Sequence, residues 1–111
     1  MPNYLQQVSY TKEAWEALVS NPQNRIEAVR PAIERLGGKI ISAYFAFGEY
    51  DVIVITEFHS NVDAAAIAMA FAAGGAVKTV KTTPLLTIPE ALEALKKAST
   101  SGYRAATAGR S

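Results

Sequence analysis

Four side chains in the middle of the chain have the types and spacing to do chemistry: Tyr44, Asp51, Glu57 and His59. His59 is the only histidine, and Glu57 lies two residues before it, about 7 Å along an extended strand, a spacing at which a carboxylate can orient a general base. The plain alternative is a histidine at the entry to a helix, since no partner triad surrounds it. Asp51 and Glu57 fall on the same strand face but ~20 Å apart, well outside the ~5 to 9.5 Å of paired carboxylates that cleave glycosides. That excludes a carboxylate dyad within one chain. Tyr44 and Asp51 are different. If the strands carrying them form a hairpin, they are diagonal neighbours with Cβ atoms ~7 Å apart, and a phenol-to-carboxylate hydrogen bond is within reach. A polar pair of this kind is also what an interface needs merely to satisfy its buried groups.

The elements that must position these residues are two runs rich in β-formers, Lys39 to Phe47 and Tyr50 to Phe58, separated by Gly48-Glu49. Glycine at the first of two loop positions predicts a type II′ turn, in which Phe47 pairs with Tyr50. Ala46 then faces Asp51, Phe45 faces Val52, Tyr44 faces Ile53 and Ala43 faces Val54. In the same register Glu57 lies opposite Ile40 and His59 opposite Gly38, which supplies no third ligand for a metal. Ile41, Ala43, Phe45, Phe47, Tyr50, Val52 and Val54 share an apolar face. Ser42, Tyr44, Ala46, Asp51, Ile53, Ile55, Glu57 and His59 share the other.

Around the hairpin the pattern alternates strand and helix. Tyr4 to Tyr10 reads as a strand, with Tyr4, Val8 and Tyr10 facing one way and Leu5 the other. Thr11 is a good N-cap for a helix carrying Trp15, Leu18 and Val19. A second helix, capped by Asn21 with Pro22 at its first position, carries Ile26, Val29, Ile33 and Leu36 down to Gly37-Gly38, with a kink expected at Pro31. Ser60 opens a helix over Asn61 to Ala73 that Gly74-Gly75 ends, and Val77 to Leu85 makes a fourth strand whose Pro84 suits an edge or terminus. The order βαββαβ is the ferredoxin-like arrangement, an α+β fold with a four-stranded antiparallel sheet and both helices on one face. Pro89 to Ala98 adds a short amphipathic C-terminal helix, too short to be stable without packing. Residues 99–111 read as a flexible tail.

The face carrying Tyr44, Ile53 and Ile55 is too apolar for water and too polar for ordinary core, so a second sheet is expected over it. Two copies stacked face to face would enclose Tyr44 and Asp51 beside a cavity. The combination of Met1-Pro2-Asn3-Tyr4, Gly37-Gly38-Lys39, Tyr44, Gly48-Glu49-Tyr50-Asp51 and Gly75-Ala76-Val77-Lys78-Thr79 resembles the GYD domain family over about residues 1–87. The resemblance implies the dimeric α+β barrel superfamily, which includes small oxygenases, isomerases and stress-response barrels, without implying one activity. The chain departs from the family pattern at Pro31, and at His59-Ser60 where a Pro-Asp pair is common.

Three parts follow: a GYD-like domain over 1–87, the helix over 88–98 and the tail over 99–111. The expected function is a cytoplasmic homo-oligomer, a dimer or larger, holding a small apolar or aromatic molecule between sheets, with Tyr44, Asp51, Ser42, Ile53 and Ile55 as its contacts. An enzymatic version would be a cofactor-free oxygenase or isomerase drawing on Asp51, Tyr44 or His59. A third version is a non-catalytic interaction module that recruits a protein partner through the C-terminal helix and residues 99–111.

Composition removes other classes. Eleven basic and ten acidic side chains give a charge of +1, no field for nucleic acid or an anionic membrane. The absence of cysteine removes thiolate metal sites and cysteine nucleophiles. Both Gly-Gly pairs follow helices, where they act as caps, whereas phosphate cradles precede them. Ile53 and Ile55 stand where an RNA-binding sheet would place aromatics. No metal, cofactor, nucleic acid or membrane is expected.

Overall fold

Strict alternation along Asn3–Tyr10 makes β1, in which Tyr4, Gln6 and Val8 are buried while Leu5 and Gln7 remain half-open; the computed structural model describes residues 1–106. Six further elements complete the domain: α1 (Lys12–Ser20), α2 (Arg25–Arg35), β2 (Lys39–Phe45), β3 (Val52–Glu57), α3 (Asn61–Ala73) and β4 (Val77–Leu85). The sheet runs β2-β3-β1-β4 with every neighbour antiparallel, the ferredoxin-like order read from the sequence. The helices pack on one face. Tyr4, Phe58, Ile33, Ala64 and Ile67 form one buried cluster, and Val8, Val52 and Val54 form a second.

Local sequence explains most boundaries. Thr11 caps α1 by accepting from the Ala14 N–H, and Ser60 caps α3 by accepting from the Asp63 N–H. The cap of α2 is Asn24, which accepts from the Glu27 N–H, and Asn21 closes α1 instead. Residues Asn21–Asn24 are therefore a break and the second helix starts at Arg25, not at Pro22. The helix runs through Pro31 and ends in paired bonds from Gly37 N–H to Glu34 C=O and from Gly38 N–H to Ile33 C=O, with Gly37 at φ +80°. Gly38 serves a second need: a Cβ there would stand 2.3 Å from the Phe58 ring.

The hairpin register holds from Ser42 to Phe45, with Ala43 opposite Val54, Tyr44 opposite Ile53 and Phe45 opposite Val52. Two details differ from expectation. The turn is not type II′, because Gly48 does not take the positive φ which that turn requires, and Phe47 is wholly exposed with no partner strand residue. The loop is pulled toward β1 instead: Asp51 N–H donates to Val8 C=O at 2.8 Å and Ser9 Oγ donates to Glu49 C=O at 3.3 Å. At the other end a bulge leaves Ile41 unpaired, so Glu57 faces Lys39, and Ile40 replaces Ile41 in the core. Phe45 is 55 % exposed because β2 is an edge that the helices cover incompletely.

β4 leads into α4 (Ile88–Ser99), which begins with a complete capping box between Thr87 and Glu90. It buries no residue. Ile88, Leu92 and Leu95 stand in solvent, and the molecule reaches 63 Å along its longest axis. Of the expected flexible tail, residues 107–111 lie outside the described residues. No helix among the described residues is long and apolar enough to cross a membrane.

Candidate functional site

The sequence-predicted residues are only partly brought together. Tyr44, Ser42, Ile53 and Ile55 share the open face of the sheet, with Tyr44 68 % exposed at its edge. Asp51 is committed elsewhere. Its carboxylate accepts from the Tyr10 N–H at 2.9 Å, its own N–H bonds to Val8 and its C=O accepts from the Ala46 N–H at 2.7 Å. The expected Tyr44–Asp51 hydrogen bond does not form among the described residues, because the loop's tether to β1 turns the carboxylate toward the Tyr10 amide. Asp51 is thus a staple joining the ends of β1, β2 and β3. His59 has left the sheet at the entry to α3, where it is exposed, and a Cβ on Gly37 would meet its ring at 3.2 Å.

A cavity of about 340 Å³ opens on the opposite face, between sheet and helices. Its floor is Val8, Tyr10, Val52, Val54 and Val77; α1 contributes Ala14, Ala17 and Leu18, α2 contributes Ile26 and Val29, and α3 closes the end with Phe71. The break at Asn21–Asn24 is the physical origin of this space. Two short helices replace one long one, α1 buries none of its residues, and the second core cluster is left incompletely roofed. The volume lies at the lower end of the ~300 to 1,000 Å³ usual for small-molecule sites.

Three polar residues line the cavity and lie near one another: Tyr10, whose phenol feels the Arg25 charge, Arg25 itself and Gln23. Tyr10 stacks edge-on to Trp15 with ring centroids 5.5 Å apart. Burial pushes its phenol pKa up, the Arg25 charge pulls it partly back and Asp51 adds to the rise, so at neutral pH the phenol is an O–H donor. Arg25 Nη1 donates to Gln23 Oε1 at 3.2 Å. Among the described residues it makes no ion pair, whereas Arg30, one turn on, is held by Glu27 at 2.9 Å.

Sequence reasoning missed this site. It started the second helix at Pro22 and put neither Gln23 nor Arg25 among the candidate site residues. The signal that would have corrected it is Asn24 with Glu27 three residues on, a capping pattern that puts Arg25 at the helix's first position beside the end of β1.

A family model for the GYD domain matches residues 4–95. The chain belongs to the GYD domain family. The match takes in β1 through most of α4, further than the segment on which the resemblance was first read. Among functionally curated proteins no sequence match is found. Among solved structures, the crystal structure of FFRP-DM1 is similar at 18% sequence identity and a TM-score of 0.50, covering 78% of this GYD protein and all of that chain. At that identity the similarity establishes the shared fold alone.

Proposed function

We propose that this GYD protein is a cytoplasmic homo-oligomer that binds a small apolar or aromatic molecule, held by each protomer between its sheet and α1–α2. The observation that carries the reading is the cavity itself: an apolar space whose lining includes three polar residues, Tyr10, Gln23 and Arg25. It is roughly twice the ~150 Å³ of an engineered cavity that accepts benzene, which sets the guest at about ten to twelve non-hydrogen atoms. The open face, with Leu5, Ile53 and Ile55 half-exposed, supports a second copy stacked over it. Tyr44, Ser42, Ile53 and Ile55 then line the contact between sheets.

Titration with indole, a neutral aromatic, followed by amide chemical shifts tests this. Saturable shifts concentrated at Val8, Tyr10, Ile26, Val54 and Phe71, and abolished by Ala14→Leu, are expected. Shifts confined to Tyr44, Ile53 and Ile55 would move the guest to the space between sheets. No saturable binding overturns the reading.

One observation favours a second reading, recruitment of a protein partner through the C-terminal helix: α4 has a well-formed start and an apolar stripe, yet packs on nothing in its own chain. Capture of a defined partner that survives truncation at Leu86 would remove its support.

A further inference from the structure

Resting on that cavity reading and deepening it, we infer that the guest is a monocarboxylate: an apolar body seated on Val8, Val52 and Val54, with its carboxylate on Arg25 and the Tyr10 hydroxyl. The argument starts from an unanswered charge. Arg25 is the only residue lining the cavity with a formal charge, and it has no carboxylate partner among the described residues. The residue is half-buried, and its one described side-chain bond goes, at an exposed position, to a neutral amide, Gln23. The guanidinium of this cavity-lining residue is a fork of donors without an anion, and carboxylate is the anion it fits with two parallel bonds.

Tyr10 narrows the class further. The hydroxyl keeps its proton at neutral pH, so it donates to an incoming oxyanion and does not repel it. Asp51, whose charge also acts on the Tyr10 phenol, is held to the Tyr10 backbone amide at 2.9 Å and forms no ion pair with Arg25 among the described residues. Beyond Tyr10, Gln23 and Arg25 the lining is Val, Ile, Leu, Ala, Phe and Gly, so a second charge on the ligand would find no charged partner. A dicarboxylate or an amine is therefore disfavoured, and a short fatty or arylalkanoic acid of about ten to twelve heavy atoms fits both volume and charge.

The test is calorimetric titration of the full chain with octanoate, 1-octanol and octylamine, which share a body and differ in the head group. Octanoate is expected to bind at least tenfold tighter than octanol, with octylamine weakest. Arg25→Gln is expected to shrink the octanoate preference to within threefold, Arg25→Lys to keep only part of it because an ammonium cannot make the two parallel bonds, and Tyr10→Phe to lower it several-fold; a thermal melt of each variant checks folding. Equal binding of the three probes, or a preference untouched by Arg25→Gln in a folded variant, overturns the carboxylate assignment and leaves the cavity reading standing. If none of the three binds, nor does indole, the cavity reading falls and the assignment with it.

Discussion

Asp51 shows how a residue chosen for chemistry can be explained by architecture. Its three bonds hold β1, β2 and the hairpin loop together, and the carboxylate supplies the Tyr10 amide with the acceptor that a bending β1–β3 ladder no longer provides. Asp51→Ala should therefore cost about 1.5 to 3 kcal/mol in urea unfolding, while Asp51→Asn, which keeps an acceptor, should retain more than half of that stability. Equal losses would argue that the charge itself matters. Gly38 is a sharper case, since a methyl group there lands inside the Phe58 ring. Gly38→Ala is expected to cost about 1 to 3 kcal/mol by overpacking, and a neutral result would mean that β2 can shift away. Thr82 points the other way: its hydroxyl is buried without a protein partner. Thr82→Val should raise the unfolding free energy in urea by about 1 kcal/mol, because no bond is broken and a desolvated polar group is removed. The Asp51 staple was not legible in the sequence, where a carboxylate after a turn looks the same whether it meets a substrate or a neighbouring strand's amide.

At the scale of elements the sequence was far more informative. Period-two and period-3.6 patterns, with Thr11, Ser60 and the glycine pairs as punctuation, place β1, α3 and β4 to within a residue. The hairpin register survives because it depends on which residues are apolar, even though the turn chemistry that first indicated it is replaced by tethers to β1. The Ile41 bulge was not readable, since it is a compromise with a distant element, whereas the Asn21–Asn24 break had a local signal in Asn24 and Glu27 that competed with Asn21-Pro22. Between them they reshape β2 and create the cavity. The start of α4 gives a prediction with a definite sign. Glu90 accepts from the Thr87 N–H at 2.8 Å, and that bond, with the Thr87 side chain, lowers its pKa below the usual glutamate value. The depressed value means that the capping contribution is complete above pH ~4.5 and is lost as pH falls through the lowered pKa. Cα chemical shifts of Ile88 to Ala91 should move toward coil values on acidification, and Glu90→Gln should remove most of that movement. Shifts that stay fixed down to pH 2 would mean the cap does not hold this helix.

Viewed as a whole molecule, the chain is extended. Its radius of gyration is 18.2 Å, where a compact chain of this length has about 13 Å. The excess comes from α4, a twelve-residue helix whose Ile88, Leu92 and Leu95 are uncovered, a length that is marginal in water without tertiary packing. The second uncovered surface is the open sheet face. The two surfaces make different demands on a dimer. A sheet pair stacks through central strands, so Ile55, on β3 and flanked by Leu5 of β1, should sit well inside it. In the proposed dimer a lysine there would bury an unpaired charge, and Ile55→Lys is expected to leave only monomer in sedimentation velocity, with the far-UV spectrum unchanged. Leu92→Lys touches only α4 and is expected to leave the dimer intact while loosening the helix. The reverse pattern, a monomer from Leu92→Lys and a dimer from Ile55→Lys, would make α4 the dimerising element and leave the sheet face to another occupant. A wild-type monomer would remove the need for either surface to be covered by a second copy, and with it the reason to treat the barrel as a pair of sheets.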